Sequence, residues 1–435
     1  MKKAVFIMSI MALVPAYAGA IELPFSLFNR QRNVILIVPD GCSVPIWATI
    51  RAMTVGTDGE LNIDTLPVQS RCRTYAANAM ITDSAAAGTA LSTGEKTRVG
   101  VLGLNAMTVR GDSLTGRPLE TILEKAKERG YATGVVSTAS VLHATPAAFY
   151  AHRADRDWYA LIAGDLATAG IDVVMGGGRE YMLPRNATGP EGNPSKRTDD
   201  RNIIDEMRRN GYTILQDKVG FDAYDPEKGD KMLGIFNANH MQYEYDRLRD
   251  KAGEPPLWEM TGKALDLLSM NKKGFFLLVE AARIDHAGHD HDTIRFLWDG
   301  VACDKTVGVA KRFAEKHKNT LVIVVPDHGT GGPHLVGAYE VDNGDSTLVS
   351  YNDAGFVHYT LNEDGFPVLD NGKPVAVKWV DWGGHTGEDV ALAAMGPGSD
   401  KLTGLVQNTD IRRIMEEHLK MTEEDEKDAS EIIDY

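Results

Sequence analysis

The sequence predicts an α/β protein of three layers, in which a large, mostly parallel central sheet lies between helices and carries inserted hairpins. Continuous apolar runs at residues 33–38, 274–279 and 320–325 are typical of strands that are buried on both faces. Between residues 118 and 175, strand-like and helix-like segments alternate, which is the order expected of a doubly wound sheet. The length of 435 residues allows one large domain of this kind.

The first 20 residues have the pattern of a secretory signal peptide and are not expected to belong to the fold. Lys2-Lys3 precedes an apolar run, and Ala16-Tyr17-Ala18 offers a cleavage site with small residues. No later stretch is long and apolar enough to span a bilayer. The mature protein is therefore expected to be exported, either to a periplasm or out of the cell.

Residues 21–420 are predicted to form a single domain. Asn-Gly, Asp-Gly and Asn-Asp turns separate short apolar stretches within about 338–382, which indicates inserted hairpins there. Residues 421–435 are predicted to be an acidic, mobile tail. The whole chain has 61 acidic against 46 basic residues, which argues against a nucleic-acid partner. An anionic substrate would therefore need a site that is made positive locally.

The remaining elements are predicted from apolar periodicity and capping residues. Pro118 at the first helical position and Gly130 after the last one predict a helix over 118–129. A triple glycine at 176–178 is predicted to be a turn, because it lacks the lysine and hydroxyl residue of a phosphate loop. In chain order the other predictions are a strand end at 79–81, a strand at 132–137, a loop entering a helix at 142–148, a helix at 157–169, a strand at 171–175, a surface loop at 184–200, a strand at 390–395 and a helix at 409–419.

Three cysteines, Cys42, Cys72 and Cys303, are too few to form a disulfide scaffold. In an oxidising compartment their odd number leaves at least one free thiol or an intermolecular pair. Whether Cys42 pairs with Cys72 stays open, because contact between them cannot be inferred from the sequence.

Ser84 follows two helix-capping residues, Thr82 and Asp83, and precedes an alanine-rich helical run. It is therefore expected in the first turn of a helix, where unpaired N–H groups and the helix dipole can bind an anion such as phosphate. Taken alone, the stretch is more typical of a serine that caps a core helix. A nucleophilic role would require a base or a metal to remove the hydroxyl proton.

Potential metal ligands follow the predicted strands. Carboxylates end three of these strands: Asp40, Glu280 and Asp327. Carboxyl ends of parallel strands meet at one edge of a sheet, where unpaired carboxylates would repel each other. Three histidines lie in the same connections: His289, His328 and His385. Mixed histidine and carboxylate ligation is typical of zinc, so the pattern predicts a site for divalent cations.

Six motifs in matching order resemble those of the alkaline phosphatases and extend over almost the whole mature chain. They are Pro39-Asp40-Gly41, the segment from Thr82 to Ala86, His143 to Pro146 with Arg156, Val279-Glu280 with Asp285 and His289, Asp327-His328, and Gly384 to Gly387 around His385. The resemblance implies hydrolysis of phosphate monoesters. It also implies two zinc ions and one magnesium ion.

The resemblance further implies a role for each matching residue. Ser84 would be the nucleophile and form a phosphoserine that water hydrolyses, while Arg156 would hold two phosphate oxygens. The first zinc would be held by Asp285, His289 and His385. The second zinc would be held by Asp40, Asp327, His328 and the oxygen of Ser84. The magnesium would be held by Asp40, Thr145 and Glu280.

The chain departs from the usual family pattern at a few positions. Pro39 stands where glycine is usual before the strand-end aspartate. His143 and His286 stand where enteric bacterial enzymes have aspartate and lysine, which bears on magnesium affinity and phosphate release. Both are expected beside the site rather than as metal ligands. His291 and His334 are expected to be solvated loop residues.

Other functions are compatible with parts of this pattern. A sulfatase of the same superfamily would need a cysteine nucleophile in place of Ser84, and a phosphodiesterase usually has threonine and lacks Arg156 and the third metal site. A different alternative is an exported protein that binds metal or phosphate without turnover, which would not need a serine within the metal ligands. The expected ligands are small phosphate monoesters and inorganic phosphate. Because the family is often dimeric, a homodimer is one expected assembly.

Overall fold

The structure is a computed structural model that describes residues 31–425, except for positions 57, 230, 251–252, 343–344, 350–358, 362–366, 370–374 and 381. The predicted signal peptide and residues 426–435 of the predicted tail lie outside the described residues. Within them, no helix is both long and apolar enough to cross a membrane.

Seventeen strands are described. In chain order they are β1 (Arg32–Val38), β2 (Val68–Arg73), β3 (Ala132–Ser140), β4 (Val173–Gly177), β5 (Tyr212–Leu215), β6 (Lys231–Ile235), β7 (Gly274–Glu280), β8 (Thr320–Val324), β9 (Gly329–Thr330), β10 (His334–Asp342), β11 (Asp345–Val349), β12 (Tyr359–Leu361), β13 (Pro367–Leu369), β14 (Val375–Lys378), β15 (His385–Thr386), β16 (Val390–Met395) and β17 (Leu405–Gln407).

Ten of these strands form one sheet in the order β17-β2-β16-β8-β1-β7-β3-β4-β6-β5. All neighbouring pairs run parallel except those that β16 makes with β2 and β8. The predicted large, mostly parallel sheet is therefore confirmed. Strands β10 to β14 form small antiparallel sheets within the segment where hairpins were predicted.

Helices cover both faces of the sheet. In chain order they are α1 (Val44–Thr54), α2 (Ser84–Thr93), α3 (Ile122–Glu128), α4 (Ala144–Ala147), α5 (Tyr159–Ala169), α6 (Ile203–Arg209), α7 (Lys218–Ala223), α8 (Glu244–Asp250), α9 (Leu257–Leu268), α10 (Arg283–His289), α11 (Thr293–Lys316) and α12 (Asn408–Leu419).

Strand β1 shows how the three layers are held together. Val34, Leu36 and Val38 face the core that α2, α3, α5, α6 and α12 cover, whereas Ile35 and Ile37 face the core under α1, α9, α10 and α11. All five side chains are fully buried, which explains the continuous apolar run in the sequence. The predicted α/β/α layering is confirmed.

Three local predictions are wrong. The helix predicted from Pro118 begins at Ile122, because Thr121 caps it and forms a capping box with Glu124. Two glycines of the triple glycine lie inside β4 rather than in a turn. Glycine is needed at position 177 because a Cβ there would lie 1.9 Å from the Asn239 carbonyl oxygen. Residues 79–81 are not a strand end, because Ala76 and Ala79 pair across a tight turn.

Strands β1, β7 and β8 are neighbours at the centre of the sheet and run in the same direction. Their carboxyl ends therefore lie side by side, and this is where open α/β sheets place their ligands. Glu280 is the last residue of β7, and Asp40 and Asp327 follow the ends of β1 and β8 by two and three residues.

Candidate active site

Ser84 occupies the first turn of α2, as predicted. Asp83 is the N-cap residue, and its side chain accepts a hydrogen bond from the backbone N–H of Ala86 at 3.0 Å. Ser84 is buried, and its Oγ lies 3.1 Å from Nε2 of His328. The hydroxyl thus reaches the carboxyl edge of the sheet while the N-terminus of α2 points toward the same region.

The strand-end carboxylates converge around the same histidine. His328 Nε2 lies 3.2 Å from Asp327 Oδ2 and 3.5 Å from Asp40 Oδ1, and all three side chains are fully buried. Burial and the nearby carboxylates of Asp327, Asp285 and Glu280 raise the pKa of Asp40 well above its usual value. Burial likewise raises the pKa of Glu280 to about 7, although Ser137 donates a hydrogen bond to it.

Helix α10 and strand β15 bring a second group of ligands together. Asp285 Oδ2 lies 3.4 Å from His289 Nε2, and Asp285 Oδ1 lies 3.8 Å from His385 Nε2. The ring of His385 stacks on that of His328 with centroids 3.6 Å apart, so the two groups adjoin. Burial opposes ionisation of Asp285, but the hydrogen bond to His289 and the charges of His328, His289 and His385 together outweigh it and lower the pKa of Asp285 well below its usual value. The pKa of His289 rises to about 9 through the same hydrogen bond.

The hydrogen bonds of these histidines determine which ring nitrogen carries a lone pair. His289 Nδ1 donates to the carbonyl oxygen of Gly383, and His385 Nδ1 donates to that of Thr82 at 2.8 Å. Neither ring can keep a proton on Nε2 while it is neutral. The Nε2 lone pairs therefore face carboxylate oxygens, an arrangement that is repulsive unless a cation or a proton lies between them.

Thr330 holds the proton of His328 on Nδ1, as the two carbonyl groups do for His289 and His385. Its hydroxyl donates to Asp285 Oδ1 at 2.5 Å, so its oxygen accepts from His328 Nδ1 at 3.2 Å. The Nε2 lone pair of His328 then faces Ser84, Asp40 and Asp327. It can accept the Ser84 proton or ligate a cation.

Divalent cations fit this donor set. Three groups of residues could each hold one cation, because the ligand atoms within a group lie within 4.8 Å of one another. The groups are Asp285, His328 and His385; Asp40, Asp327 and His328; and Asp40, His143 and Glu280. Among the described residues, three buried carboxylate oxygens have no hydrogen-bond donor: Asp40 Oδ1, Glu280 Oε1 and Asp327 Oδ2. Thr145 also reaches the last set, since its hydroxyl donates to Asp40 Oδ2 at 3.5 Å.

Arg156 lies beside the first turn of α2. One terminal nitrogen of its guanidinium donates to Asp83 Oδ2 at 2.9 Å, and the other donates to His143 Nε2 at 3.1 Å. Burial opposes ionisation of Asp83, yet the charge and hydrogen bond of Arg156, together with the backbone N–H groups of Ala86 and Gly100, outweigh it and lower the pKa of Asp83. Burial and Arg156 lower the pKa of His143 well below its usual value. The ring of His286 lies 5.5 Å from that of His143, and His143 is the one of the two that Arg156 contacts.

Sequence reasoning missed several polar residues of the site. One of them is Thr330, which lies in β9 two residues after His328, where a hydroxyl can bridge two ligands. Asp83 was read only as a capping residue, whereas it also fixes Arg156. His291 is not a solvated loop residue, because its ring stacks on Trp379 with centroids 5.3 Å apart. His334 is exposed as predicted but begins β10 rather than lying in a loop.

The cysteines are all buried as free thiols, and Cys42 and Cys72 are not paired. Each lies in the core rather than at the surface: Cys42 and Cys303 share one core, and Cys72 belongs to the other. Burial raises the pKa of the Cys72 thiol to about 12, which leaves it unreactive at neutral pH.

The chain is similar to known proteins over most of its length. A family model described as alkaline phosphatase matches residues 31–421. The tissue-nonspecific alkaline phosphatase of Rattus norvegicus is 33% identical over 451 residues, covering 91% of this chain and 85% of that protein. The solved alkaline phosphatase of Thermus thermophilus has a TM-score of 0.74 at 28% identity and covers 94% of this chain and 96% of its own.

A further solved neighbour is a histidine-to-aspartate mutant of the TAB5 alkaline phosphatase, described as having Mg bound in its M3 site. It has a TM-score of 0.70 at 26% identity and covers 91% of this chain and 99% of its own. The fold and the family expected from the sequence motifs are thereby confirmed. The chain belongs to the alkaline phosphatase family, whose members are phosphoric monoester hydrolases.

Proposed function

We propose that the chain hydrolyses phosphate monoesters through a phosphoserine on Ser84, with two zinc ions and one magnesium ion. The observation that carries this proposal is the position of the Ser84 hydroxyl. It lies in the first turn of α2 and 3.1 Å from His328, where two sets of potential metal ligands meet. A protein that only binds metal or phosphate would not require a hydroxyl at this point.

The residues would divide among three cations. Asp285, His289 and His385 would hold the first zinc, Asp40, Asp327, His328 and the Ser84 oxygen the second zinc, and Asp40, Thr145 and Glu280 the magnesium. His143 lies close enough to Asp40 and Glu280 to contact the magnesium site as well. Bound cations of this kind would supply positive charge and favour the deprotonated forms of a hydroxyl and of water. Magnesium in the TAB5 mutant supports its assignment here.

The chain's own groups position the substrate and the nucleophile. Arg156 presents a planar fork that can bind two phosphate oxygens, and Asp83 holds this fork beside Ser84. The N–H groups in the first turn of α2 favour the negative charge of the same phosphate. Thr330 keeps the Nε2 lone pair of His328 directed at Ser84 Oγ. The hydroxyl is thus aligned with a phosphate that Arg156 holds.

The proposal extends to cellular context. The amino-terminal pattern of residues 1–20 supports export of the protein. Small phosphate monoesters and inorganic phosphate would be its ligands, and its excess of acidic residues disfavours nucleic acid. We also propose a homodimer, on the ground that the family is often dimeric.

Release of nitrophenol from nitrophenyl phosphate tests the proposal. Chelation should abolish activity, and added zinc with magnesium should restore it. Ser84→Ala should lose most of the rate, whereas Ser92→Ala should not, although Ser92 is also buried in α2 and donates to Ala148 at 2.7 Å. A Ser84→Ala variant with near-normal activity would refute the assignment. Faster hydrolysis of bis-nitrophenyl phosphate than of the monoester would favour the phosphodiesterase alternative.

A further inference from the structure

The inserted hairpins end close to the proposed ligands of the first zinc. After β14 the chain continues through Trp379, and Gly383 and Gly384 then precede His385 at the start of β15. The carbonyl oxygen of Gly383 accepts a hydrogen bond from His289 Nδ1. This part of the chain therefore supplies one proposed zinc ligand and orients another.

The side chain of Trp379 connects this part of the chain to the start of α11. Its Nε1 donates a hydrogen bond to Thr293 Oγ1 at 3.1 Å. Its ring stacks on that of His291 with centroids 5.3 Å apart and planes inclined by 17°, and it meets the ring of Phe296 edge-on at 5.2 Å. One hydrogen bond and two ring contacts thus join the end of the hairpins to the residues that follow His289.

His291 makes its contact with Trp379 from an unfavourable backbone conformation. Its φ of 54° lies in the left-handed region, which few residues other than glycine adopt. Such residues persist only where the surrounding structure fixes them, and they cluster at functional sites. The ring of His291 also contacts the backbone of Gly383, since a Cβ there would lie 3.5 Å from His291 Nε2. His291 therefore contacts both Trp379 and the residue that orients His289.

The turn after β9 holds the same part of the chain from another side. The Val380 N–H donates to the Gly331 carbonyl oxygen at 3.1 Å, and the Gly331 N–H donates to that of Gly384 at 3.0 Å. The indole of Trp379 requires glycine at position 331, because a Cβ there would lie 2.8 Å from its Cε3 atom. Trp379 thus packs against two segments that adjoin the site.

We propose that Trp379 is a positioning residue for the proposed ligands of the first zinc, Asp285, His289 and His385. Its contacts hold Gly383 where the carbonyl oxygen orients His289, and they hold the backbone from which His385 extends. This inference rests on the proposed assignment of these three ligands to one zinc ion. Wild-type protein that binds no zinc would contradict that proposed function rather than the role of Trp379.

The proposed ligands of the second zinc should not depend on Trp379. Asp40 and Asp327 lie just past the central strands β1 and β8, and Thr330 orients His328. Removal of the indole should therefore weaken the binding of one zinc ion and leave that of the other unchanged. A side chain that only stabilises the fold would not separate the two ions.

Zinc titration of metal-free protein against a competing chelator measures both ions. Trp379→Ala should bind one ion about 10–100-fold more weakly, the usual effect of losing a group that orients a metal ligand, and the other within about twofold of the wild type. Trp379→Phe keeps an aromatic ring beside His291 and should recover most of the lost affinity. His289→Ala, which removes a ligand of the first zinc, identifies the affected ion. Trp258→Ala is the matched control, because Trp258 is also half-buried but lies in α9, with its ring 4.6 Å from Lys305 Nζ.

His291→Gly separates positioning from stability. Glycine adopts a φ of 54° without strain, so this variant loses the ring but relieves the backbone. It should melt at a higher temperature than His291→Ala and yet bind the first zinc as weakly as His291→Ala does. A residue with a purely structural role would show affinity and melting temperature changing together.

Three results would overturn the inference. These are unchanged affinity for both zinc ions in Trp379→Ala, an equal loss of affinity for both ions, or a Trp379→Phe variant that binds zinc no better than Trp379→Ala. A selective loss of the ion that His289→Ala retains would also overturn it. If Trp379→Ala does not fold, His291→Gly decides, and wild-type affinity for both ions in that variant would contradict the proposal.

Discussion

Thr330→Val isolates the contribution of one hydroxyl that the structure places between two proposed metal ligands. The Thr330 hydroxyl donates to Asp285 Oδ1 at 2.5 Å and accepts from His328 Nδ1 at 3.2 Å, and it is fully buried. Valine keeps the shape of the side chain and removes both hydrogen bonds. The Nδ1–H group of His328 then has no acceptor, so its ring can rotate or change tautomer.

The expected size of the effect follows from what is left unsatisfied. A buried polar group that loses its partner costs about 1–3 kcal/mol, and here a carboxylate and an imidazole N–H are both affected. Partners that orient metal ligands typically change metal affinity by about 10–100-fold, which is about 1.4–2.8 kcal/mol. We therefore expect Thr330→Val to bind zinc about 10–100-fold more weakly and to unfold at a lower temperature.

Zinc titration of metal-free protein against a competing chelator measures the effect. Thr261→Val is the matched control, because Thr261 is also buried and donates to the Leu257 carbonyl oxygen at 2.8 Å within α9. The control should lose some stability but no zinc affinity. Equal zinc affinity in Thr330→Val and the wild type would refute the proposed orientation of His328.

Three further changes test other parts of the site and the fold. Arg156→Ala should lower kcat/KM by about 10–10³-fold, or roughly 1.4–4 kcal/mol, and weaken inhibition by phosphate in parallel. Unchanged inhibition by phosphate would show that Arg156 does not bind the phosphate oxygens. His143→Asp with His286→Lys should bind magnesium and phosphate more tightly and turn over more slowly, as kinetics with graded magnesium would show. Burial opposes ionisation of both His152 and Glu124, but their mutual hydrogen bond and charge attraction, together with backbone hydrogen bonds, outweigh it, raising the pKa of His152 and lowering that of Glu124. The raised pKa of His152 stabilises the fold below about pH 6.5, and this stabilisation is lost as pH rises. The lowered pKa of Glu124 stabilises the fold above about pH 4.3, and this stabilisation is lost as pH falls. The melting temperature of His152→Gln should therefore lie furthest below that of the wild type between about pH 4.3 and about pH 6.5. A difference in melting temperature that grows above about pH 8 would contradict the proposed pairing.

The parallel sheet could be predicted because its central strands are buried on both faces. Residues 34–38 are apolar at every position, which only a strand between two helical layers requires. The start of α3 could not be predicted, since Pro118 and Thr121 are both good helix-start residues and the capping box with Glu124 decides between them. Gly177 of β4 is required by a close approach of the Asn239 backbone, and no local pattern in the sequence reveals that approach.

The proposed metal ligands could be located because each follows a buried strand or occupies a recognisable motif. Residues that act through them could not, because their importance depends on contacts between distant segments. Thr330 joins Asp285 to His328, and 45 positions of the sequence separate it from Asp285. A lone threonine gives no signal of such contacts in the sequence.

The most direct test of the central claim is the identification of the residue that carries phosphate during turnover. Enzyme loaded with zinc and magnesium would be mixed with excess nitrophenyl phosphate, quenched in acid, digested and examined by mass spectrometry. Phosphate on Ser84, absent after chelation and absent in Ser84→Ala, is the predicted result. Turnover with Ser84 unmodified and phosphate on another residue, or on none, would contradict the account.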